Sequence, residues 1–262
     1  MNIGTAKPSE DELLVVQHYF INTIDIEEDY SAGQYAEEVM ELLPGLFEKY
    51  PIVIMTGGSG LYIKAVTEGF DILPEVDPQI RKELNNLYNE NGIESLQQLL
   101  KKEDPVYYKV VDKNNPQRLI RALEISIGTG QPFSIFRKKD LPERTFNILH
   151  IGLEMERKEL YDRINKRVDK MMEDGLVEEA KKLYPLKDRN ALQTVGYQEL
   201  FDHFDRKHNL EEAIRLIKRN TRRFAKRQLT WLRKQKDVEW FSPRDKDQIL
   251  QLIQHRLNKI ES

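Results

Sequence analysis

The 262-residue sequence contains no cysteine, and this absence excludes several kinds of site. Without thiols the chain can form neither disulfide bridges nor the cysteine-ligated metal centres of zinc and iron–sulfur proteins. Histidines are few and show no metal-ligand spacing; they are His18, His150, His203, His208 and His255. We therefore expect no metal site built from these side chains and a location in the reducing cytoplasm.

Long apolar runs are missing as well. No stretch approaches the ~20 apolar residues that a membrane-spanning helix needs. The residues from Met1 to Glu10 also lack the apolar run of a secretory signal. Hydrophobic residues make up 39% of the chain and charged residues 32%, a composition that supports one core, or one core with a smaller lobe, and no membrane association.

Positive charge is concentrated near the C-terminus, although the formal net charge is only −3. Ten Lys or Arg and no Asp or Glu lie between Arg215 and Lys236. Seven of them form two rows at helical spacing, which are Arg215, Arg219, Arg223 and Arg227, and Lys218, Arg222 and Lys226. Ile217, Phe224 and Trp231 recur at intervals of seven and predict a buried stripe on the same helix. Because like charges in a row repel, nucleic acid is the favoured partner, and a solvated helix or an acidic protein is the alternative.

Periodicity and turn residues predict helices that alternate with a few strands. Strand composition occurs at 18–26, 52–55, 146–153 and 238–241, and the second of these is apolar throughout, as in strands buried on both faces. Helical patterns occur at 32–50 (after the candidate cap Ser31), 61–66, 79–89, 93–102, 116–128, 156–174, 176–184, 196–205, 210–234 and 245–259. We therefore predict an α/β fold with a parallel sheet of three or four strands. Its core would comprise 1–74 and 144–262, and residues 75–143 would form a helical lobe.

A glycine-rich turn follows the apolar run 52–55 and precedes a helix. In Thr56-Gly57-Gly58-Ser59-Gly60 the glycines permit a sharp turn and a close approach between backbone and ligand. The amides and the dipole at the start of the following helix favour phosphate. An ordinary tight turn between a strand and a helix explains the spacing equally well.

The predicted helix 116–128 begins with polar side chains on one face. Asn115 is a candidate cap and Pro116 fits the first helical position. Gln117 and Arg121 then lie four residues apart, and both side chain types can contact base edges and phosphates. A solvated helix face is the alternative.

Two arginines share a face of the predicted helix 156–174. Arg163 and Arg167 could clamp a diphosphate, because a guanidinium stays charged and donates a planar fork of hydrogen bonds. Surface pairing with Glu159 or Asp162 is the alternative.

Five motifs, in order along the chain, resemble those of tRNA dimethylallyltransferases, also called isopentenyltransferases. They are Ile3-Gly4-Thr5-Ala6-Lys7-Pro8, Gly57-Gly58-Ser59-Gly60-Leu61-Tyr62, Asn115-Pro116-Gln117-Arg118-Leu119-Ile120-Arg121, Val195-Gly196-Tyr197 and Ala225-Lys226-Arg227-Gln228-Leu229-Thr230-Trp231-Leu232-Arg233. The similarity extends over essentially the whole chain, and the first motif joined with the last two is specific.

The resemblance implies a P-loop NTPase-like parallel sheet core with a helical insertion domain that contacts tRNA. It also implies transfer of a dimethylallyl group from dimethylallyl diphosphate to the exocyclic amine of adenosine-37, just 3′ of the tRNA anticodon, by a monomer assisted by Mg²⁺. Two other functions remain open. One is a tRNA-binding module without catalysis, and the other is a P-loop nucleotide kinase, against which the basic helix and Gly196-Tyr197 argue.

The resemblance assigns roles to individual residues. Arg167 and Arg163 would bind the diphosphate, and Arg167 and Ser59 would act in catalysis. The residues that match tRNA-contacting segments are Ser59, Arg81, Gln117, Arg118, Leu119, Ile120, Arg121, Gln193, Thr194, Val195, Gly196, Tyr197, Gln198, Lys226, Arg227, Gln228, Leu229, Thr230, Trp231, Leu232 and Arg233. At Gln193 and Gln198 some members carry Arg, so contacts there would be neutral and less sensitive to salt.

The sequence departs from the family in one larger respect. The family begins with a strand, a glycine-rich Lys-Thr loop that cradles the diphosphate, and an Asp-Ser segment whose Asp receives the amine proton. The 262 residues contain neither the loop nor the Asp-Ser pair. The resemblance therefore predicts negligible prenyl transfer by this polypeptide alone.

Overall fold

The structure, a computed structural model of the chain, describes residues 1–5, 7–71, 73–137, 143–235 and 237–260. The chain divides into two compact units. One combines Met1–Ile63 with Asn147–Ser262, and the other is Lys64–Phe146. The sequence places the boundaries of the helical lobe at 75 and 143, whereas the contacts place them at 64 and 146.

Twelve α-helices and two strands are present in the described residues. The helices are α1 Glu10–Val15, α2 Ala32–Phe47, α3 Gly60–Thr67, α4 Pro78–Glu103, α5 Pro105–Val110, α6 Pro116–Thr129, α7 Phe133–Phe136, α8 Arg157–Glu173, α9 Leu176–Leu183, α10 Tyr197–Phe204, α11 Leu210–Leu232 and α12 Lys246–Ile260. The strands are β1 His150–Leu153 and β2 Val238–Phe241, and short 3₁₀ turns occur at Tyr184–Leu186 and Asn190–Leu192. No helix in the described part is long and apolar enough to cross a membrane.

The two strands pair in parallel, with His150 opposite Val238 and Leu153 opposite Phe241. The predicted α/β class with a parallel sheet is confirmed. The strand at 238–241 is confirmed, and the strand predicted at 146–153 begins only at His150.

The strands predicted at 18–26 and 52–55 are wrong, because the described residues there form turns and unpaired backbone. Phe20 and Asn22 have φ values of 62° and 57°, which lie outside the β region. Ile54 is 80% exposed, and no neighbouring strand of the described chain pairs with it. An apolar run forms a buried strand only where another strand supplies hydrogen bonds, and composition alone does not show whether one does.

Helices α8 to α11 enclose the core of the first unit. The buried side chains of this core are Val168, Leu176, Ala180, Tyr197, Leu200, Phe201, Ala213 and Ile217 from the helices, with Leu192 from the 3₁₀ turn before α10. Gly175, in the left-handed region at φ 96°, ends α8 and lets α9 fold back against it. The helix ends predicted around Gly175 are therefore confirmed.

Helices α4 and α6 form the core of the second unit. It contains Leu84, Leu96, Leu100, Leu119, Ile120, Leu123 and Ile125. Asn115 caps α6 and Pro116 occupies its first turn, as the sequence predicts. Gly92, at φ 75° and ψ −176°, interrupts α4 and separates the two helical patterns predicted on either side of it.

Candidate functional site

The basic segment forms the long helix α11. Asn209 caps it by accepting a hydrogen bond from the amide of Glu212, and Glu211 and Glu212 complement the helix dipole in the first turn. The buried residues of α11 are Ala213 and Ile217, both in its first two turns. The helix is thus anchored at its N-terminal end.

The cations of this first half have partners within the protein. The Arg215 guanidinium lies 2.6 Å from the Glu212 carboxylate, and the Lys218 ammonium lies 2.5 Å from the Asp169 carboxylate on α8. Arg219 donates to the side chain of Asn220 at 3.2 Å. The first half of each basic row is therefore largely committed to holding the helix in place.

The second half of α11 differs in both burial and charge. Arg222 donates to the Asn165 side chain at 2.6 Å. Arg223, Lys226 and Arg227 are exposed, and none has a carboxylate partner among the described residues. Arg227 lies 5.6 Å over the ring of Phe224. We call Arg223, Lys226 and Arg227 the free cations of α11.

The predicted apolar stripe is only partly correct. Ile217 is 1% exposed, but Phe224 is 43% exposed and Trp231 is partly buried. The stripe fails at Phe224 because the core helices cover only the first half of α11 within the described residues. Periodicity shows which face of a helix is apolar. It does not show how far along that face the neighbouring helices extend.

The second half of α11 lies against the glycine turn. The Gln228 side chain donates to the carbonyl of Gly58 at 3.0 Å. A Cβ added at Gly60 would lie 2.5 Å from the ring of Trp231. The free cations are therefore on the helix segment that touches this turn, and the close approach gives Gly60 a structural reason to be glycine.

Ser59 closes the turn by capping α3 with its backbone. Its carbonyl accepts hydrogen bonds from the amides of Tyr62 at 3.0 Å and Ile63 at 3.1 Å, and its side chain is exposed. The structure therefore leaves the Ser59 hydroxyl available at the beginning of α3. Its predicted part in catalysis and tRNA binding stays a prediction.

Arg163 and Arg167 are exposed on α8. Arg163 contacts the sulfur of Met155 at 4.0 Å, and neither arginine pairs with a carboxylate of the described chain. Glu159 pairs instead with Arg244 at 2.6 Å. The alternative of pairing with Glu159 is therefore not realised, and both guanidinium groups remain available for an anion.

Two motifs that are distant in sequence meet at Glu179, which sequence reasoning missed. Its carboxylate accepts hydrogen bonds from the hydroxyl of Tyr197 at 2.6 Å and from the amides of Asn2, Ile3 and Gly4 at 2.7, 3.1 and 3.1 Å. Burial alone would raise the pKa of Glu179, but these hydrogen bonds hold it below its ordinary value. One acidic residue on an amphipathic helix carries no signal that would identify it beforehand.

Tyr197 and Gly196 are buried, and their predicted contact with tRNA stays a prediction. The ring of Tyr197 fills the space beside Gly4, where an added Cβ would lie 2.5 Å from it. Burial and the Glu179 carboxylate raise the pKa of the Tyr197 hydroxyl, which therefore remains a hydrogen-bond donor. The motif acts here as a packing and positioning element.

The rest of this segment is accessible. Gln198 donates to the Gln193 side chain at 2.7 Å, and Gln193 donates to the carbonyl of Lys187 at 2.8 Å. Thr194 is exposed and Val195 is partly buried. The two glutamines thus hold each other on the surface at the beginning of α10.

The predicted residues after Lys226 have mixed surroundings. Thr230 donates to the carbonyl of Lys226 at 2.8 Å, and Arg233 pairs with Glu154 at 3.1 Å. Leu229 and Leu232 are partly buried. Within this motif Lys226 and Arg227 remain the best placed for a polyanion.

The second unit has its own cation cluster around a buried carboxylate. Glu124, 5% exposed, accepts from Arg81 at 3.2 and 2.9 Å and from Arg121 at 3.0 Å. Burial would raise the pKa of Glu124, but the two arginines lower it. Arg81 and Arg121 thus both bind the same buried carboxylate. Sequence reasoning identified both arginines and missed the glutamate between them.

Gln117 and Arg118 are exposed at the start of α6, as their prediction requires. Leu119 and Ile120 are 0% and 1% exposed. Both side chains pack in the core of this unit and hold the exposed pair in place, and their contact with tRNA stays a prediction.

No group of three or more Asp, Glu or His side chains converges as a metal site in the part of the chain that the structure describes.

The parallel strand pair, the glycine turn and the adjacent free cations describe an α/β protein with a cationic surface beside its glycine turn. The chain belongs to the IPP transferase family, whose sequence pattern matches residues 1–235. A tRNA dimethylallyltransferase from Christiangramia forsetii is 53% identical over 259 residues, which cover 98% of this chain and 86% of that protein. One from Flavobacterium psychrophilum is 48% identical over 264 residues, with 98% and 86% covered.

A solved structure gives the same result for the fold. The full-length tRNA isopentenylpyrophosphate transferase of Bacillus halodurans is 39% identical and superimposes with a TM-score of 0.69, covering 98% of this chain and 84% of that one. The family resemblance of the five motifs is therefore confirmed.

Proposed function

We propose that the protein transfers a dimethylallyl group from dimethylallyl diphosphate to the exocyclic amine of adenosine-37 in tRNA. The observation that carries this proposal is the position of the free cations of α11 beside the glycine turn. The relatives named tRNA dimethylallyltransferase match nearly the whole chain and support it. A cytoplasmic location and a monomeric state remain part of the proposal.

The reaction needs charge stabilisation more than elaborate covalent chemistry. A bond forms between the amine nitrogen and the first prenyl carbon while the bond from that carbon to the diphosphate oxygen breaks. The diphosphate leaves with the electron pair, and the amine loses a proton. Negative charge grows on the departing oxygens, so cations and amides aimed at them lower the barrier. Arg167 and Arg163, which lack carboxylate partners in the described chain, are suited to this task.

The tRNA would meet several cationic surfaces. On the first unit these are the free cations of α11, with the Gln193–Gln198 pair as neutral contacts. On the second unit, the exposed Gln117 and Arg118 are suited to phosphate, and Arg81 and Arg121 stay candidate tRNA contacts. Because the adenine must leave its stack to react, a loop base is a cheaper substrate than a paired one.

In this proposal Mg²⁺ binds together with the diphosphate of the donor. Its ligands would come mainly from the diphosphate oxygens and from the glycine-rich Lys-Thr loop of the family. No step proposed here for the residues of this chain depends on the ion.

The proposal is tested with Arg167→Ala in the protein expressed from its whole reading frame. Lys170→Ala is the matched control, because Lys170 is an exposed cation on the same helix but pairs with Asp174 at 2.7 Å. Single-turnover prenyl transfer and affinity for a tRNA anticodon stem-loop are measured for each. We expect Arg167→Ala to lower transfer by about 100-fold with tRNA affinity nearly unchanged, and the control to lower neither.

Two results would contradict the account at different points. Unchanged transfer by the Arg167 variant would show that Arg167 does not act on the diphosphate. Tight binding of the stem-loop by the wild-type protein without any transfer would show that the protein is an RNA-binding module and not an enzyme.

A further inference from the structure

The Val195-Gly196-Tyr197 motif is held in place by two acidic side chains from different helices. The Tyr197 hydroxyl donates to Glu179 on α9 at 2.6 Å, and the Gly196 amide donates to Glu199 on α10 at 2.8 Å. Glu199 is 5% exposed, and no Lys or Arg of the described chain forms a salt bridge with it. A carboxyl group buried without a cation costs free energy, which its hydrogen bonds must offset.

The second oxygen of Glu199 carries the connection to α11. Its Oε2 accepts from the Gly196 amide, and its Oε1 accepts from the side chain amide of Asn220 at 2.7 Å. The Asn220 side chain oxygen accepts in turn from the Nε of Arg219 at 3.2 Å. A carboxylate accepts with both oxygens, whereas a glutamine side chain accepts with one end and donates with the other. The two donors at Gly196 and Asn220 therefore require a carboxylate rather than an amide.

Helix capping explains only part of this arrangement. Glu199 is the third residue of α10, and an acidic side chain at this position commonly accepts from the amide that precedes the helix. Glu12 has the same position in α1, where its carboxylate accepts from the amide of Ser9 at 2.8 Å. Glu12 is exposed, however, whereas Glu199 is buried and also binds α11. The link between two helices is what distinguishes Glu199.

One end of the connection lies in the middle of the predicted tRNA-contacting segment 193–198. Gly196 falls between Gln193 and Gln198, whose exposed side chains are joined at 2.7 Å. Gly196 has a φ of 104°, in the region that favours glycine, so the hydrogen bond at its amide helps to fix an unusual backbone turn. The bond to Glu199 therefore sets where the two glutamines lie on the surface of the first unit.

The other end lies at the boundary between the two halves of α11. Ile217, the last buried residue of this helix, precedes Asn220 by three residues. The exposed Arg223 and Arg227 follow Asn220 by three and seven residues. At this spacing they share its helix face and lie ~4.5 and ~10.5 Å further along the axis. The face of α11 that Glu199 holds therefore continues into two of the free cations.

We propose that Glu199 is a positioning residue for tRNA, which fixes the Gln193–Gln198 pair relative to the free cations of α11. This inference rests on the proposed function. With both surfaces held in one arrangement, a single RNA strand can contact the glutamines and the cations without a further cost for ordering them. Glu199 is itself buried, so it acts through these residues and not by contact with the RNA. Its loss should weaken tRNA binding more than donor binding.

The test uses Glu199→Gln in the protein expressed from its whole reading frame. Glu12→Gln is the matched control, because it removes the same charge at the same position of another helix. The Kd of a tRNA anticodon stem-loop and the KM values of tRNA and dimethylallyl diphosphate are measured for each folded variant. We expect Glu199→Gln to raise the Kd and the tRNA KM by about tenfold, with the donor KM within about twofold of the wild-type value. The control should change none of these constants.

A reciprocal exchange separates positioning from a general loss of stability. In Glu199→Gln combined with Asn220→Asp, the amide nitrogen at position 199 can donate to the carboxylate at position 220, while the amide oxygen still accepts from Gly196. The net charge stays the same. We expect this double variant to restore the stem-loop Kd to within about threefold of the wild-type value.

Asn220→Ala keeps the test decisive if Glu199→Gln does not fold. Asn220 is only partly buried, so its loss is a milder change, and we expect it to raise the stem-loop Kd by about fivefold. A wild-type Kd in folded Glu199→Gln or in Asn220→Ala, or no recovery in the double variant, would overturn the inference. So would an equal rise in the KM of both substrates, which a purely structural loss would give. Absence of transfer by the wild type would instead overturn the proposed function, and the stem-loop Kd would then decide the inference by itself.

Discussion

The two halves of α11 are both rich in Lys and Arg but have opposite surroundings. The first half buries Ala213 and Ile217 and pairs Arg215 and Lys218 with carboxylates of the protein. The second half buries no residue and carries the free cations of α11. One continuous helix thus combines an anchored segment with a segment whose charge no described carboxylate neutralises.

The difference separates structural cations from cations available to a ligand. Like charges at helical spacing destabilise a helix by a few tenths of a kcal/mol per pair, whether or not a core lies beneath them. In the first half that cost is offset within the protein. In the second half it persists, and an external polyanion would relieve it through counterion release. We infer that the charge of the second half serves binding rather than stability.

The largest expected effect comes from the apolar stripe that both halves share. Ile217→Ala should reduce the free energy of unfolding by about 3–4 kcal/mol, because it leaves a cavity in the core. Phe224→Ala should reduce it by less than about 1 kcal/mol, because Phe224 is 43% exposed. Chemical denaturation measures both changes. Equal losses would show that the second half is anchored as firmly as the first.

A smaller effect is expected where cations share a buried carboxylate in the second unit. Glu124→Gln removes the charge between Arg81 and Arg121 and should destabilise the protein by about 2 kcal/mol. The folded-state pKa of Glu124 is lowered, so its stabilisation is present above the unfolded pKa, about 4.3. It is lost as the pH falls through the folded pKa.

Unfolding measured against pH checks this sign. The wild-type protein should lose stability below about pH 4.3 more steeply than Glu124→Gln. Identical pH profiles for the two proteins would mean that Glu124 contributes no net electrostatic stability.

The contact between α11 and the glycine turn gives the smallest effect. Gly60→Ala forces the Trp231 ring to move, because the added Cβ would lie 2.5 to 2.9 Å from its atoms. We expect a loss of about 1 kcal/mol and a changed Trp231 fluorescence, measured with Trp240→Phe present. Gly45→Ala in α2 is the control, because nothing lies within 4 Å of the added atom. A Trp231 fluorescence change of the same size in Gly60→Ala and Gly45→Ala would contradict the contact between Gly60 and Trp231.

The sequence predicted most helices, because their caps and periodicity are local. Ser31 caps α2 and Asn115 caps α6 as expected, and Gly175 separates α8 from α9. The prediction from sequence failed for the strands at 18–26 and 52–55. Strand pairing depends on partners elsewhere in the chain, and an apolar run carries no information about whether they are present.

The candidate site was predictable in its cations and not in its carboxylates. Arg81 and Arg121 stand out in sequence, but Glu124 between them does not. Glu179 is equally inconspicuous, although it joins Gly4 to Tyr197. A partner brought from another helix is set by tertiary packing, so these links became visible only in the structure.

The most direct test of the account is the salt dependence of binding to a synthetic tRNA anticodon stem-loop. Lys226→Ala with Arg227→Ala is compared with Arg215→Ala with Lys218→Ala, so that each variant loses one Lys and one Arg from the same helix. The account predicts that the slope of log affinity against log salt falls by about 1.5 for the first pair and stays at the wild-type value for the second. Equal slopes for the two variants, or a wild-type slope in the first, would contradict it.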